Sequence, residues 1–293
     1  MSTLNQNRPA VAYEKSFLTV LPTVFAKERK FGRAFTELQI LDGIAQNKVA
    51  FTVKTNDQEV VINNYDKTAI TGKTDANNRF GKLEEVIYVD TDVEYDAELA
   101  TNRLLDITTV NNDFDIAVAE ELIKAAIAYT VDMNKKDGTF FSTEAGIQEE
   151  IVDFSDEETE KLLNKLSAEF AELEVAVDVT MYVIPELYSA LVDSRLATTG
   201  KNSSVSIDDN GLYWFKGFRI EQTPKKYFAE EDVAYLVPDG VAIPFIGISL
   251  VRAMEDSKYA GTILQTLSKG GRFVLDDNKK AIAKVTLKEE IGG

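Results

Sequence analysis

The chain has 293 residues, 44% of them apolar and 28% charged, enough to fold and bury a sizeable core as one large domain or two modest ones. It contains no histidine and no cysteine, which excludes thiol nucleophiles, disulfides, imidazole triads, haem held by histidine and zinc centres built on either residue. The formal net charge is −17, and residues 86–180 hold 24 acidic against 6 basic side chains, so one segment carries nearly all the excess and the chain is a poor match for a phosphate backbone.

No apolar run approaches the roughly 18 residues that span a bilayer, so no membrane partner is expected. Met1 to Ala10 is polar and lacks an apolar signal core, so secretion is not expected either. Residues 1–32 read as an arm. Tyr13, Phe17, Leu18, Val20, Leu21, Val24 and Phe25 are scattered without sustained periodicity, Pro9 and Pro22 interrupt regular structure, and the basic cluster Lys27, Arg29, Lys30 and Arg33 follows. Such a segment buries its apolar residues poorly alone and lies along its own domain or a neighbour.

Residues 47–65 read as two strands: Val49, Phe51 and Val53 alternate with polar positions, and Val60 to Ile62 resumes after Asn56-Asp57-Gln58. A polar stretch over 66–81 and a third strand at Glu85–Val89 complete a long hairpin with an exposed tip, which wants a partner. Residues 90–98 place acids at Asp90, Asp92, Glu94, Asp96 and Glu98. A calcium loop needs Gly at Tyr95 and a bidentate Glu at Thr101, so the stretch reads instead as one charged face of an extended segment.

A short helix is expected over 97–105. A longer one starts at Asn112 or Asp113, carries an apolar face of Ile116, Ala119, Leu122, Ile123, Ala126, Ile127 and Thr130, and stops at Asp137-Gly138. Ser155 to Glu174 is a second helix, with Ser155 and Glu158 as a capping box and Leu162, Leu163, Leu166, Phe170 and Leu173 as its buried stripe. Residues 175–184 alternate as a strand, and Pro185 opens a short helix with Leu187, Tyr188 and Leu191. A polar loop over 195–210 follows. Strands are then expected at Leu212–Phe215, Phe218–Glu221, Val233–Val237 and Val241–Ile246, with a final pair at Gly271–Leu275 and Ala281–Thr286. Helices and strands fall in separate blocks with no repeated βαβ unit, so the fold class is α+β.

Chemistry is thinly signalled. Thr71-Gly72-Lys73-Thr74 imitates the end of a phosphate-binding loop, but Lys67 stands where that loop needs its first Gly. With 49 acids, any chosen carboxylate pair for glycoside chemistry is arbitrary. Tyr213, Trp214, Phe215 and Phe218 read as core before they read as a stacking platform. No catalytic, cofactor-binding or metal-ligating residue is assigned.

The order of elements, and above all Met181-Tyr182-Val183-Ile184-Pro185-Glu186-Leu187-Tyr188 followed by Trp214-Phe215-Lys216-Gly217-Phe218-Arg219-Ile220, resembles the major capsid proteins of tailed bacteriophages with the Hong Kong 97 type fold. The resemblance implies an N-terminal arm at 1–45, an extended hairpin loop at 46–89, a peripheral domain at 90–175 with a spine helix at 112–134, an axial domain at 176–255, and C-terminal strands at 256–293 that return to those domains. It implies a structural subunit and no enzyme: pentamers and hexamers closing an icosahedral shell around double-stranded DNA, built in the host bacterial cytoplasm and carried in the virion. Its partners would be copies of itself, a separate scaffolding protein, portal and decoration proteins, and DNA held without sequence preference. Contacts between subunits would involve Phe17, Phe25, Arg29, Lys30 and Arg33 of the arm, and Lys67, Lys73 and Arg79 of the loop. Some members cross-link Lys to Asn, a part open to Lys67 or Lys73 in the loop, and the sequence does not tell whether this chain does so. The rival readings are an encapsulin-type shell around protein cargo and, further off, a carboxylate-based hydrolase.

Overall fold

The computed structural model describes residues 29–41, 48–56, 58, 60–67, 77–108, 114–194, 206–208, 211–255, 258 and 260–288. The chain divides into two compact units, Gln46–Tyr95 and the remainder.

The larger unit is built on two sheets. The first has seven strands in the order β7 (Ile147–Ile151), β15 (Ala283–Leu287), β12 (Asp232–Pro238), β8 (Val179–Val183), β11 (Phe218–Gln222), β10 (Gly211–Phe215) and β9 (Ser206–Asp208). Every residue of β8 and β12 is buried. A strand covered on both faces needs no alternation. The alternating residues Val175 and Val177 therefore lie before the strand, and Val177 is exposed. The β10–β11 hairpin turns at Lys216-Gly217, where both residues have positive φ (49° and 91°), the geometry of a tight primed turn.

Helix α2 (Asp156–Glu172) buries Leu162, Leu163, Leu166 and Phe170 in one cluster with Met181, Val183, Ile220 and Leu236. Each such side chain contributes about 1.5–3 kcal/mol on burial. Phe170 meets Phe218 edge-on at 5.6 Å. Ser155 is the N-cap, but its side chain makes no capping bond, so the expected capping box does not form. The Ser155 amide instead donates to Asp153 Oδ1 at 2.9 Å, and Asp156, Glu157 and Glu158 face the positive end of the helix. Helix α3 (Pro185–Asp193) starts on its proline and buries Leu187 and Leu191.

The second sheet has four strands in the order β1 (Gln39–Ile40), β13 (Ile243–Glu255), β14 (Gly261–Phe273) and β6 (Ala97–Asp106). Residues 97–105 form strand β6 and not the expected helix, because β14 offers them an unbroken antiparallel ladder from Gly261–Asp106 to Gly270–Ala97. The expected pairing of residues 271–275 with 281–286 does not occur. Gly271 belongs to the end of β14 in this sheet, whereas β15 joins the seven-stranded one between β12 and β7. Between those two segments the chain forms the short helix α4 (Asp276–Lys279).

Helix α1 (Phe114–Glu144) runs past Asp137-Gly138, where the sequence suggested a stop. Gly138 serves packing: a Cβ there would stand 1.7 Å from the Tyr227 carbonyl oxygen, so only glycine lets the 3-10 turn Lys225–Tyr227 press on the helix. Beyond it Phe141 enters an aromatic cluster with Phe31, Phe35, Tyr182 and Tyr235, with Phe31 lying 5.0 Å from Tyr182 and Phe35 lying 5.3 Å from Phe141. This cluster ties the 29–35 segment to α1 and to the seven-stranded sheet.

Candidate assembly surfaces

In the smaller unit, β2 (Val49–Thr55) pairs antiparallel with β5 (Val89–Glu94). The alternating acids sit opposite matching partners: Thr52 Oγ1 donates to Asp92 at 2.6 Å, Lys54 pairs with Asp90 at 3.5 Å, and Lys48 with Glu94 at 2.7 Å. Cross-strand complementarity of this kind accounts for the acid pattern. Among the described residues no group of three or more carboxylates is placed to hold a metal ion.

Beyond these strands the chain is extended but nearly unpaired. Val60–Ile62 and 85–88 form no ladder, contrary to the strands expected there, because the described chain offers them no neighbouring strand. A two-residue hairpin, β3 (Asn77–Asn78) with β4 (Gly81–Lys82), closes the described part. The Asp66 amide donates to the Arg79 carbonyl at 3.0 Å, and Tyr65 packs on Phe80 at 5.1 Å. Exposure here falls on large apolar side chains: Ile62 is 94% exposed, Phe80 76% and Leu83 74%, with Val60, Ile87 and Tyr88 also open. The expected polar hairpin thus carries a broad uncovered apolar surface, a mark of an interaction site.

In the larger unit, Asp137 of α1 is wholly buried and held by two guanidinium groups. Arg29 donates to it through Nε at 2.7 Å and Nη2 at 2.9 Å, and Arg272 of β14 donates through Nε. Arg272 also forks onto Asp96 with both distances 2.9 Å. Burial alone pushes the Asp137 carboxyl up, but the two arginines overcome it and hold the group below the usual carboxylate range. Nearby, burial pushes the Glu221 carboxyl up, against the opposing pull of Arg33, whose Nε donates to it at 3.2 Å.

A groove of about 470 Å³ opens between residues 29–40, the middle of α1, the start of β6 and the β13–β14 ladder. Its wall is mainly apolar, with Phe35, Leu38, Leu99, Met133 and Phe245 among its residues, and Glu37 is its one acidic residue. Tyr129 floors it, its hydroxyl bonded to Thr266 Oγ1 at 2.7 Å. On α1, Ile123 and Ile127, read from the sequence as core, are 58% and 46% exposed, while Val118, Ala126, Tyr129 and Asn134 turn inward.

The residues singled out by sequence are dispersed. Phe17, Phe25 and Lys73 lie outside the described residues, as do Thr71-Gly72-Lys73-Thr74, the helix cap at Asn112 or Asp113, and most of the 195–210 loop. Arg29 is bound to Asp137, and its guanidinium carbon stands 3.5 Å from the Phe35 ring centre. Lys30 is exposed while its amide donates to Asn134 Oδ1 at 3.0 Å. Arg33 holds Glu221, and Lys67 and Arg79 are exposed in the smaller unit. The uncovered runs Val60-Val61-Ile62 and Val86-Ile87-Tyr88 and the groove were not singled out. The signal for the first was present: apolar runs with no partner strand near in sequence. The groove gave none, because five separate segments build it. Among the described residues no helix is long and apolar enough to cross a membrane.

No protein-family description and no characterised protein sequence matches the chain. Solved structures do. A capsid chain of cyanophage P-SCSP1u aligns with a TM-score of 0.63 at 10% identity, covering 86% of this chain and 87% of that one. The mature capsid of bacteriophage PhiM1 gives a TM-score of 0.63 at 10% identity and covers 86% of each chain. A virus-like particle from Pyrococcus furiosus gives 0.53 at 14% identity, over 93% of this chain and 99% of that one. The chain has the fold these structures share, the α+β architecture of the Hong Kong 97 type.

Proposed function

We propose that this chain is the major capsid protein of a tailed bacteriophage, a non-enzymatic subunit that joins copies of itself into pentamers and hexamers of an icosahedral head around double-stranded DNA. The observation that carries the reading is the uncovered apolar surface of residues 60–67 and 77–88, on a chain whose fold phage capsid chains share over most of their length. An isolated hairpin with that surface is marginal in water, and another copy of the same chain supplies the cover. Weak individual contacts, repeated many times per subunit, then add up to a stable shell.

In this reading residues 1–45 are the arm and 46–89 the extended loop. The four-stranded sheet with α1 is the peripheral part and the seven-stranded sheet with α3 the axial part; β7 and α2, which the sequence grouped with the peripheral segment at 90–175, belong to that seven-stranded sheet and its core. Strand β13, which the sequence grouped with the axial segment, is hydrogen-bonded into the four-stranded sheet. A scaffolding protein, a portal and decoration proteins complete the particle, which is assembled in the host cytoplasm and is itself the virion head. Arg33, Lys67, Lys73 and Arg79 are contact residues between subunits. A hydrolase reading needs facing carboxylates in a cleft, and the groove is lined by a single acid.

The likeness to the Pyrococcus furiosus virus-like particle supports a second reading, a protein-cargo compartment of the encapsulin type. The test is size-exclusion chromatography of the purified protein followed by negative-stain microscopy and analysis of particle contents. Shells, tubes or five- and six-membered rings are expected, with nuclease-protected DNA in particles from infected cells. A uniform monomer or dimer at high concentration, with scaffolding protein present, overturns the shell reading. A defined protein cargo without DNA selects the second one.

A further inference from the structure

The backbone of β6 is only half used. Its ladder with β14 keeps one register from Ala97 to Asp106, and just beyond it the Ile107 amide donates to the opposite Ala260 carbonyl at 2.8 Å. In an antiparallel ladder, opposed residues exchange bonds at every second position. The odd-numbered residues of β6 therefore bond β14, and Glu98, Ala100, Asn102 and Leu104 turn their amides and carbonyls outward. Strand β6 ends its sheet, and among the described residues no strand pairs with that outer side. Short length, proline or a bulge blunts an open edge. Over its ten residues β6 has no proline, and its ladder has no register shift. Ala100, Asn102, Arg103 and Leu104 along it are exposed.

We propose that residues 83–88 of a second copy add to this edge as an antiparallel strand, in the register that sets Tyr88 opposite Ala100 and Leu83 opposite Leu105. The inference rests on the shell reading and names the surface that its uncovered hairpin takes. Residues 83–88 (Leu-Glu-Glu-Val-Ile-Tyr) form no ladder in their own chain, and they are long enough for an ordinary strand. Charge selects the register. It sets Glu85 against Arg103 and Lys82 against Asp106, and opposite charges facing across a ladder attract where like charges repel. Arg103 gives its Nε to Glu121, whose other oxygen Lys124 already holds, so a second carboxylate beside Arg103 is matched. The same register turns the backbone of Glu84, Val86 and Tyr88 towards β6. It leaves the Ile87 amide on the far side, where it donates to Gln58 Oε1 at 3.4 Å. Main-chain bonds then hold the two copies together, and the side chains fix their alignment.

The chain has no cysteine of its own, which makes a direct test clean. Subunits carrying Glu85→Cys are mixed with subunits carrying Arg103→Cys and assembled under oxidising conditions. A disulfide dimer with one chain of each kind is expected, and none when either variant assembles alone. Charge gives a second readout. Glu85→Arg should slow particle formation severalfold in light scattering, and adding Arg103→Glu to the same chain should restore it. Ala100→Pro removes an outward amide and no bond to β14, a position where an edge strand tolerates proline. It should slow assembly while the free subunit melts as the parent does. Particles that form at the parent rate from Ala100→Pro and Glu85→Arg, with no mixed disulfide, overturn the inference and leave the shell reading standing. A parent chain that forms no particle at all overturns the shell reading and this inference with it.

Discussion

Asp137 has no exposed side-chain surface, and two arginines from distant parts of the chain close on it. Replacing it with Asn keeps the volume and leaves Arg29 and Arg272 facing a neutral amide in a buried site. Loss of one partner from a buried charge network costs about 3–5 kcal/mol, so urea unfolding of Asp137→Asn subunits should show a loss of that order. The same carboxylate predicts acid sensitivity. Its folded value lies below the unfolded value, so the unfolded chain takes up its proton first as pH falls. The stabilisation is present above the ordinary carboxylate value of about 4 and is lost as pH drops through the depressed folded value. Thermal melts should show a steep fall in stability below about pH 4 in the parent, with the portion due to this group missing from Asp137→Asn. One residue along, Gly138→Ala drives a methyl group into the Tyr227 carbonyl. Forcing an extra methyl into a packed contact typically costs about 1–3 kcal/mol, and a denaturant series reads it directly.

At the scale of elements, the uncovered hairpin gives the sharpest prediction. Ile62→Ser with Leu83→Ser removes apolar surface already open to water, so the subunit's unfolding free energy should move by no more than about 0.5 kcal/mol. Light scattering should nevertheless show particle formation lost or strongly slowed. A fall in subunit stability equal to that of a core substitution would place these side chains in the interior instead. Elements differed in how legible they were for a physical reason. Helix α2 could be read because its stripe of Leu162, Leu166 and Phe170 packs on a sheet within the same chain. Helix α1 was misread on its face because Ile123 and Ile127 look like core and yet point outward. Strand β6 was misread because its ladder partner lies more than 150 residues away, beyond any local window. The α+β class and the fold type were legible from element order. Of the candidate contact residues, the basic cluster could be seen in sequence, but nothing local tells that Arg29 turns inward to Asp137 while Arg33 reaches Glu221.

At the scale of the molecule, every copy carries a net charge of −17, so copies repel at long range. The screening length falls from about 30 Å at 0.01 M salt to about 3 Å at 1 M, while apolar contact is not weakened by screening. Assembly followed by light scattering at fixed subunit concentration should therefore accelerate as sodium chloride rises from about 0.01 M towards about 0.5 M. An assembly rate that falls over this range would show that intersubunit ion pairs, and not the apolar hairpin, drive association. The same charge predicts no gel retardation of duplex DNA by free subunits at physiological salt.

The two sheets also set when a subunit exists at all. Strand β14 lies between β13 and β6, and β15 lies between β12 and β7, so each sheet takes an interior strand from residues beyond 260. A ribosome adding about 5–20 residues per second reaches them long after it has made β6, which ends at Asp106, whereas β14 starts at Gly261. Until then β6 has no ladder, Arg272 has not reached Asp137, and one wall of the groove is missing. Translation itself therefore gates folding: a chain that stops before residue 261 has no ladder for β6 and no Arg272 to meet Asp137.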